Sequence, residues 1–145
     1  MRSVIAICLS LAAFAASNFA VAADKPTAKV PDAAAELARL AGEYTAEYSA
    51  RTGQVPADKE ALKGLTLDIK KDEWIQNYRG DVAVYAITLE LTDDVRVMRL
   101  NHKKVKAVRN CTYELKDGTL TVTEQLGEPG EFTVTVWKRK QVTAE

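Results

Sequence analysis

The sequence is poor in the residues that carry most enzyme chemistry. It contains one histidine, His102, and two cysteines, and its only serine after residue 22 is Ser49. A Ser–His–Asp triad would require these two lone residues to meet, and a zinc site would require several nitrogen, sulfur or oxygen ligands. The seven glycines are scattered singly, so the sequence has no glycine-rich phosphate loop. We therefore predict a non-enzymatic protein with no metal site and no cofactor.

The sequence also lacks net charge. It has 20 basic and 20 acidic residues, whereas proteins that bind nucleic acid usually have an excess of basic residues. Lys103, Lys104 and Lys106 form a local basic run, which is more typical of a solvated loop or a strand edge than of an anion site. We therefore predict no nucleic-acid partner.

A long apolar run occurs at the N-terminus. Arg2 precedes an uncharged stretch from Val4 to Ala16, and Ala20-Val21-Ala22 fits a small-x-small cleavage site. This apolar core is too short to span the ~30 Å of a bilayer comfortably. We predict that residues 1–22 are a secretory signal peptide, so the protein is exported to the periplasm or the extracellular space. Membrane contact is then expected only through the signal peptide before cleavage.

Removal of the signal leaves about 120 residues, the size of one domain with one core. We assign residues 23–31 to a flexible leader, 32–140 to a single domain and 141–145 to a tail. Cys8 leaves with the signal, so Cys111 is the remaining cysteine. Cys111 shares strand parity with Tyr113, which favours a buried thiol, and the alternative is pairing between chains.

Residues 110–138 give the clearest structural pattern. Apolar and polar residues alternate along three short runs, separated by turns at Asp117-Gly118 and Pro129-Gly130. Alternation bounded by such turns predicts antiparallel hairpins. Alternating runs predict five further strands at 43–51, 65–70, 74–78, 82–91 and 95–100, and the first of the three runs belongs to a strand over 105–115. The spacing of apolar residues predicts a helix over 32–41 and one helical turn within 57–62.

Eight short strands at hairpin spacing predict an all-β domain with one short N-terminal helix. Closing an up-and-down meander into a barrel removes both exposed sheet edges, and eight strands enclose either packed side chains or one small ligand. The fold expected is therefore an antiparallel barrel or meander of about eight strands, with a β-sandwich as the alternative.

Short motifs spread over nearly the whole mature chain support this fold. They are Leu40-Ala41-Gly42-Glu43-Tyr44, Gly53 with Pro56, Gly64-Leu65-Thr66-Leu67, Tyr113-Glu114-Leu115, Gly118-Thr119-Leu120 and Pro129-Gly130-Glu131-Phe132. Together they resemble the uncharacterised lipocalin-like domain family common in planctomycete bacteria. Tyr44 stands where that family usually has the tryptophan of Gly-x-Trp. The resemblance implies a lipocalin-like barrel, and the family has no settled activity.

Candidate ligand-binding residues come from the inferred inward parity of the strands. They are Tyr44, Tyr48, Tyr85, Tyr113 and Phe132, together with Glu124, which shares the parity of Leu120 and Val122. The rings either fill the barrel as an ordinary core or line a cavity. Glu124 either ends at the rim or faces the interior as a polar group in a pocket. Trp137 has the opposite parity to Val136 and is expected on the outer face.

Two functions remain open from the sequence. One is an exported binding module for a small apolar molecule or a cell-envelope protein. The other is a protein-binding module, such as an inhibitor of an extracellular hydrolase, acting through loops at Asn101–Lys104 and Glu128–Glu131. An open pocket favours the first function, and a solid barrel with a protruding ordered loop favours the second.

Overall fold

The computed structural model describes residues 32–92 and 94–141, so the predicted signal peptide, the leader and residues 142–145 lie outside it. The described chain consists of a short helix, eight strands and a one-turn helix between the first two strands. Its elements are α1 (Ala33–Leu40), β1 (Gly42–Arg51), α2 (Lys59–Leu62), β2 (Leu65–Lys70), β3 (Glu73–Tyr78), β4 (Asp81–Leu91), β5 (Arg96–His102), β6 (Val108–Lys116), β7 (Thr119–Gln125) and β8 (Phe132–Arg139).

The eight strands form one closed antiparallel barrel in chain order. β1 pairs with β2 on one side and with β8 on the other, so the first and last strands complete the hydrogen-bonded ladder. The predicted all-β barrel is therefore confirmed, and the sandwich alternative is wrong. β6 begins at Val108 rather than at residue 105, because the lysine-rich segment forms the connection before it.

The tight turns between strands explain why the chain reverses where it does. Arg79-Gly80 and Asp117-Gly118 are two-residue connections in which both residues have positive φ, at 52° and 98° and at 50° and 73°. A positive φ at both central residues matches the right-handed twist of the flanking strands, and glycine adopts it without steric cost. These turns therefore fix the register of β3 with β4 and of β6 with β7.

The N-terminal helix closes one end of the barrel, which we call the helix end. Leu40 is fully buried against the core, and its carbonyl accepts a 2.6 Å hydrogen bond from the Tyr44 hydroxyl. Arg139 donates from Nη2 to the carbonyl of Arg39, also at 2.6 Å. The opposite end, called the loop end, carries the four connections 52–64, 79–80, 103–107 and 126–131.

The core is centred on two tryptophans whose rings meet edge to face. The ring centroids of Trp74 and Trp137 lie 6.0 Å apart, and both side chains are almost completely buried. The prediction that Trp137 lies on the outer face is therefore wrong. Burying an indole removes far more apolar surface from water than burying a valine, so Trp137 rather than Val136 sets the inward parity of β8.

Phe132 is consequently misplaced by the sequence interpretation. Residues two apart along a strand share a face, so Thr133 and Thr135 point inward with Trp137 while Phe132 points outward. The Phe132 side chain is 43 % exposed. Its predicted inward position is wrong because the threonines, not the more apolar residues, face the interior at this end of the strand.

Tyr48 is also outside, for a different reason. The register of β1 with β8 shifts between Ala46 and Tyr48, which is a β-bulge centred on Glu47. The extra residue reverses the parity of β1, so Tyr44 and Ala46 face inward while Tyr48 is 41 % exposed. After the bulge it is Ser49, opposite Thr135, that faces the interior.

Candidate functional site

The interior of the barrel contains a cavity of about 180 Å³ in its loop-end half. Half of its lining is polar and half apolar. The polar residues are Ser49, Gln76, Arg109, Glu124, Thr133 and Thr135, and the apolar ones are Leu65, Trp74, Leu100, Cys111, Val122 and Trp137. The helix end is filled by packed side chains, so the barrel is neither uniformly hollow nor uniformly solid.

Arg109 and Glu124 form an ion pair in the wall of this cavity. Nε of Arg109 donates to Oε1 of Glu124 at 2.7 Å, and Nη2 donates to Oε2. The two side chains are 30 % and 16 % exposed. Burial disfavours the charged guanidinium, but the Glu124 carboxylate outweighs it and raises the pKa of Arg109 above its ordinary value. The guanidinium therefore stays charged, and the Glu124 carboxylate is its counter-charge.

Two neighbours fix the position of the Arg109 guanidinium. Nη1 lies 3.4 Å from Oε1 of Gln76, and the Tyr85 ring centroid lies 5.4 Å from the guanidinium carbon. This is the geometry of a cation–π contact. Tyr85 in turn meets His102 edge to face, with ring centroids 4.9 Å apart. The charged group is thus held by an acid, an amide and an aromatic face.

The two tryptophans of the core differ in what their indole N–H groups meet. Nε1 of Trp74 lies 3.4 Å from Oε1 of Gln76. Nε1 of Trp137 is buried, and it is the single buried side-chain polar atom without a hydrogen-bond partner among residues 32–92 and 94–141. A buried donor left unpaired costs about 1–3 kcal/mol. Trp137 is one of the residues that line the cavity, but its Nε1 is itself buried.

Cys111 is buried in the cavity wall, as the sequence predicted. Its side chain is 2 % exposed, and burial raises the pKa of the thiol to about 11. The nearby Glu124 carboxylate acts in the same direction, whereas Arg109 opposes it. The thiol is therefore protonated at neutral pH, and a protonated thiol is a poor nucleophile.

The six predicted site residues fall in three places. Tyr85 and Glu124 lie in the loop-end half, and Glu124 faces the interior as a polar group, which confirms the second of its two predicted positions. Tyr44 and Tyr113 are buried at the helix end. Tyr48 and Phe132 are outside the barrel. The structure therefore does not bring these six residues together.

Several cavity residues were missed from the sequence. Arg109 shares the parity of Cys111 and Tyr113 on β6, and that parity alone could have placed it inside. Thr133 and Thr135 would have followed from giving Trp137 priority over the valines of β8. No comparable pattern exists for Ser49, because its inward position depends on the bulge.

The lone serine and histidine are engaged with other groups. Ser49 Oγ lies 3.3 Å from Oγ1 of Thr135. Nδ1 of His102 accepts hydrogen bonds from the backbone N–H groups of Lys104 and Val105, at 3.0 and 3.2 Å. Within the described chain, no group of three or more histidine, cysteine, aspartate or glutamate side chains is arranged to hold a metal ion.

A second buried polar cluster lies at the helix end around Glu36. Its carboxylate accepts hydrogen bonds from Arg39 at 2.7 and 2.9 Å, from Arg96 at 3.0 Å and from the Tyr113 hydroxyl at 3.1 Å. The Glu36 side chain is 3 % exposed. The Arg39 hydrogen bonds outweigh the opposing effect of burial, so the pKa of Glu36 lies below its ordinary value. This cluster attaches α1 to the barrel.

Larger grooves occur on the outside of the barrel. One of about 330 Å³ lies beside Phe132, and another of about 560 Å³ lies between α2 and the paired strands β1 and β2. Neither lining contains a buried polar side chain that lacks a partner, as judged over the residues the structure describes. The smaller interior cavity is the better candidate site, because polar side chains from several strands come together in it inside the barrel.

The described helices are too short or too polar to cross a bilayer. Comparison with protein-family models, with curated proteins and with solved structures gives no match to the chain. The lipocalin-like family resemblance therefore stays a prediction, and function has to be inferred from the cavity.

Proposed function

We propose that this protein is an exported, non-enzymatic binding protein that holds a small molecule in the loop-end cavity of its barrel. The observation that carries the proposal is the interior cavity of about 180 Å³, in which the partly buried Arg109–Glu124 pair and three hydroxyl groups stand beside apolar side chains. Ligand sites in proteins typically combine apolar walls with a few convergent polar groups in this way.

The architecture supports access from one direction. α1 and the Glu36 cluster close the helix end, whereas the cavity lies between strand residues in the loop-end half of the barrel. Arg109, at the cavity wall, retains 30 % of its side-chain exposure. A ligand is therefore expected to enter past the loops and to stop at the packed tryptophans.

The size of the cavity limits the ligand. Drug-sized ligands occupy pockets of roughly 300–1,000 Å³, whereas an apolar cavity of about 150 Å³ accommodates benzene. The 180 Å³ measured here suits a single compact molecule. The sequence favoured an apolar ligand, and the polar half of the lining extends this expectation to a molecule that also makes hydrogen bonds.

Native mass spectrometry of the protein secreted with its own signal peptide tests this proposal. We expect a stoichiometric small molecule on the wild-type chain and a much lower occupancy in Thr135→Leu, which narrows the cavity and removes one of its hydroxyl groups. The matched control is Thr121→Leu, because Thr121 pairs with Val136 on the outer face of the same sheet. A chain without any small molecule would contradict the proposal, and a stoichiometric protein in its place would favour the hydrolase-inhibitor alternative.

A further inference from the structure

The connection between β5 and β6, residues 103–107, is held by the side chain of the residue before it. We call this connection the lysine loop. Nδ1 of His102 accepts hydrogen bonds from the backbone N–H groups of Lys104 and Val105, at 3.0 and 3.2 Å. Within the described part of the chain, residues 104–106 make no other hydrogen bond to a residue outside the loop. One imidazole nitrogen therefore holds the loop apex against the barrel.

The two hydrogen bonds require a neutral imidazole. A nitrogen that accepts from two N–H groups uses its lone pair, so the ring proton of His102 lies on Nε2. Protonation of Nδ1 would replace this acceptor with an N–H donor that faces two other donors. The loop apex would then lose both of its hydrogen bonds to His102.

The charged groups on the loop side of His102 also oppose a positive imidazole. Lys103, Lys104 and Lys106 all belong to the lysine loop. Glu73 of β3 is the acid on this side, and it is already paired with Lys103. Protonation would therefore add a further positive charge to a cluster of ammonium groups.

The barrel side of His102 has an aromatic ring and a second paired cation. The Tyr85 ring of β4 meets the imidazole edge to face, with ring centroids 4.9 Å apart. The Arg109 guanidinium of β6 lies 5.4 Å from the same tyrosine ring, and its counter-charge is Glu124. Each acid near His102 is thus engaged with another cation, so neither is free to balance an imidazolium.

We propose that His102 is a pH-dependent switch for the lysine loop: the neutral imidazole holds the loop apex, and protonation of Nδ1 releases it. An ordinary imidazole takes up a proton near pH 6.5, and His102 is the only histidine of the chain. Linkage gives the sign, because the released loop leaves Nδ1 free to bind a proton and the ordered loop does not. The ordered loop is therefore the form at pH 7.5, and it is lost as the pH falls towards 5.

The switch moves charge as well as backbone. Release of the loop apex frees the ammonium groups of Lys104 and Lys106 from one fixed arrangement, and protonation adds a positive charge beside them. The alternative function predicted from the sequence uses Asn101–Lys104 as a protein-binding loop. A contact that needs the ordered loop would be made at neutral pH and lost in acid.

Nitrogen-15 relaxation of the secreted chain at pH 7.5 and pH 5.0 tests the switch. The backbone order parameters of Lys104 and Val105 should be about 0.85 at pH 7.5 and below about 0.6 at pH 5.0, the values of rigid and flexible backbone. Ordinary carboxyl groups, with pKa values near 4, remain mostly ionised at pH 5.0. The Arg79-Gly80 turn is the internal control, because its Gly80 N–H donates to Oδ1 of Asn77 at 3.0 Å and an amide oxygen does not titrate in this range.

Two variants separate the imidazole from other causes. His102→Asn supplies an amide oxygen that can accept from backbone N–H groups two or three residues on, as Asn77 does from Gly80. This variant should keep the lysine loop ordered at both pH values. His102→Phe retains an aromatic ring beside Tyr85 but has no acceptor, so the loop should be flexible at both.

The wild-type comparison alone can overturn the inference and requires no variant. Equal order parameters for Lys104 and Val105 at the two pH values would show that His102 does not control the loop. A fall of the same size at the Arg79-Gly80 turn would indicate general loosening in acid and would also overturn it. Neither result concerns the cavity ligand, so the proposed function is tested separately.

Discussion

At the scale of single residues, three charged side chains of the barrel, Arg109, Glu124 and Glu36, are partly or fully buried, and each has a specific set of partners. Arg109 is matched by Glu124, Gln76 and the face of Tyr85, and Glu36 is matched by two arginines and a tyrosine hydroxyl. Buried ion pairs of this kind add little net stability, but removing one partner leaves an uncompensated charge. Variants that remove one partner at these positions are therefore expected to lose stability.

Glu124→Leu should destabilise the protein by about 2 kcal/mol, because it leaves the Arg109 guanidinium without its carboxylate. The value is below that of a fully buried pair since Arg109 is 30 % exposed. Urea unfolding followed by tryptophan fluorescence measures the change. The double variant Arg109→Leu/Glu124→Leu should recover most of the lost stability. A double variant less stable than Glu124→Leu alone would contradict this explanation.

Glu36 should make the stability dependent on pH in the acid range. Its pKa is lowered by the Arg39 hydrogen bonds, so the unfolded chain binds the proton more readily. The stabilisation is complete above the unfolded value of about 4.3 and is lost as the pH falls through the lower folded value. Urea midpoints between about pH 5 and pH 3 should fall less steeply for Glu36→Gln than for the wild type.

The matched control for Glu36 is Glu47→Gln, because Glu47 lies exposed on β1. Its pH profile should overlay that of the wild type. If Glu36→Gln kept the full acid slope, the helix-end cluster would have no part in the acid sensitivity of the fold.

At the scale of the strand, two aromatic residues of β8 lie on opposite sides of the barrel wall, with Trp137 in the core and Phe132 outside. Trp137→Ala should cost about 4 kcal/mol, because it removes a core ring that meets Trp74. Phe132→Ala should cost about 1 kcal/mol or less, since Phe132 is 43 % exposed. Chemical denaturation of both variants measures the difference. Equal losses would contradict the inward parity assigned to β8.

The same strands show what could be predicted from the sequence. Eight strands and α1 were predictable because alternation and turn residues are local properties, and the Asp117-Gly118 turn has the positive φ values that its residues favour. For Glu124, the parity of its neighbours on β7 left both the rim and the interior open, and the structure places the side chain in the interior. Tyr48 was misplaced because a bulge depends on the partner strand β8, which lies far along the chain.

The cavity was less predictable than the fold. Its walls come from seven strands, so its volume and the pairing of Arg109 with Glu124 exist only after closure. Phe132 and Trp137 compete for the interior of β8, and the choice is made by the space available in the barrel. The alternation of residues along β8 allows either Phe132 or Trp137 to face inward, and it does not contain the packing energies that decide between them.

At the scale of the whole molecule, export is the remaining prediction. Cleavage after Ala22 should give a secreted chain that begins at Ala23, and intact-mass measurement of the secreted protein checks this position. Ala22→Arg should retain residues 1–22, because it removes the small residue before the cleavage point. A secreted wild-type chain with Met1 still present would contradict the assignment.

The pairing of β1 with β8 also has a kinetic consequence. Tyr44 pairs with Arg139, so the contacts that complete the barrel join the two ends of the domain. Contacts of such long sequence separation slow folding, because loop closure costs entropy before the contacts form. The barrel cannot close until its last strand has been synthesised. On the predicted export route, the chain would therefore cross the membrane unfolded, and the cavity would form only after β8 has paired with β1.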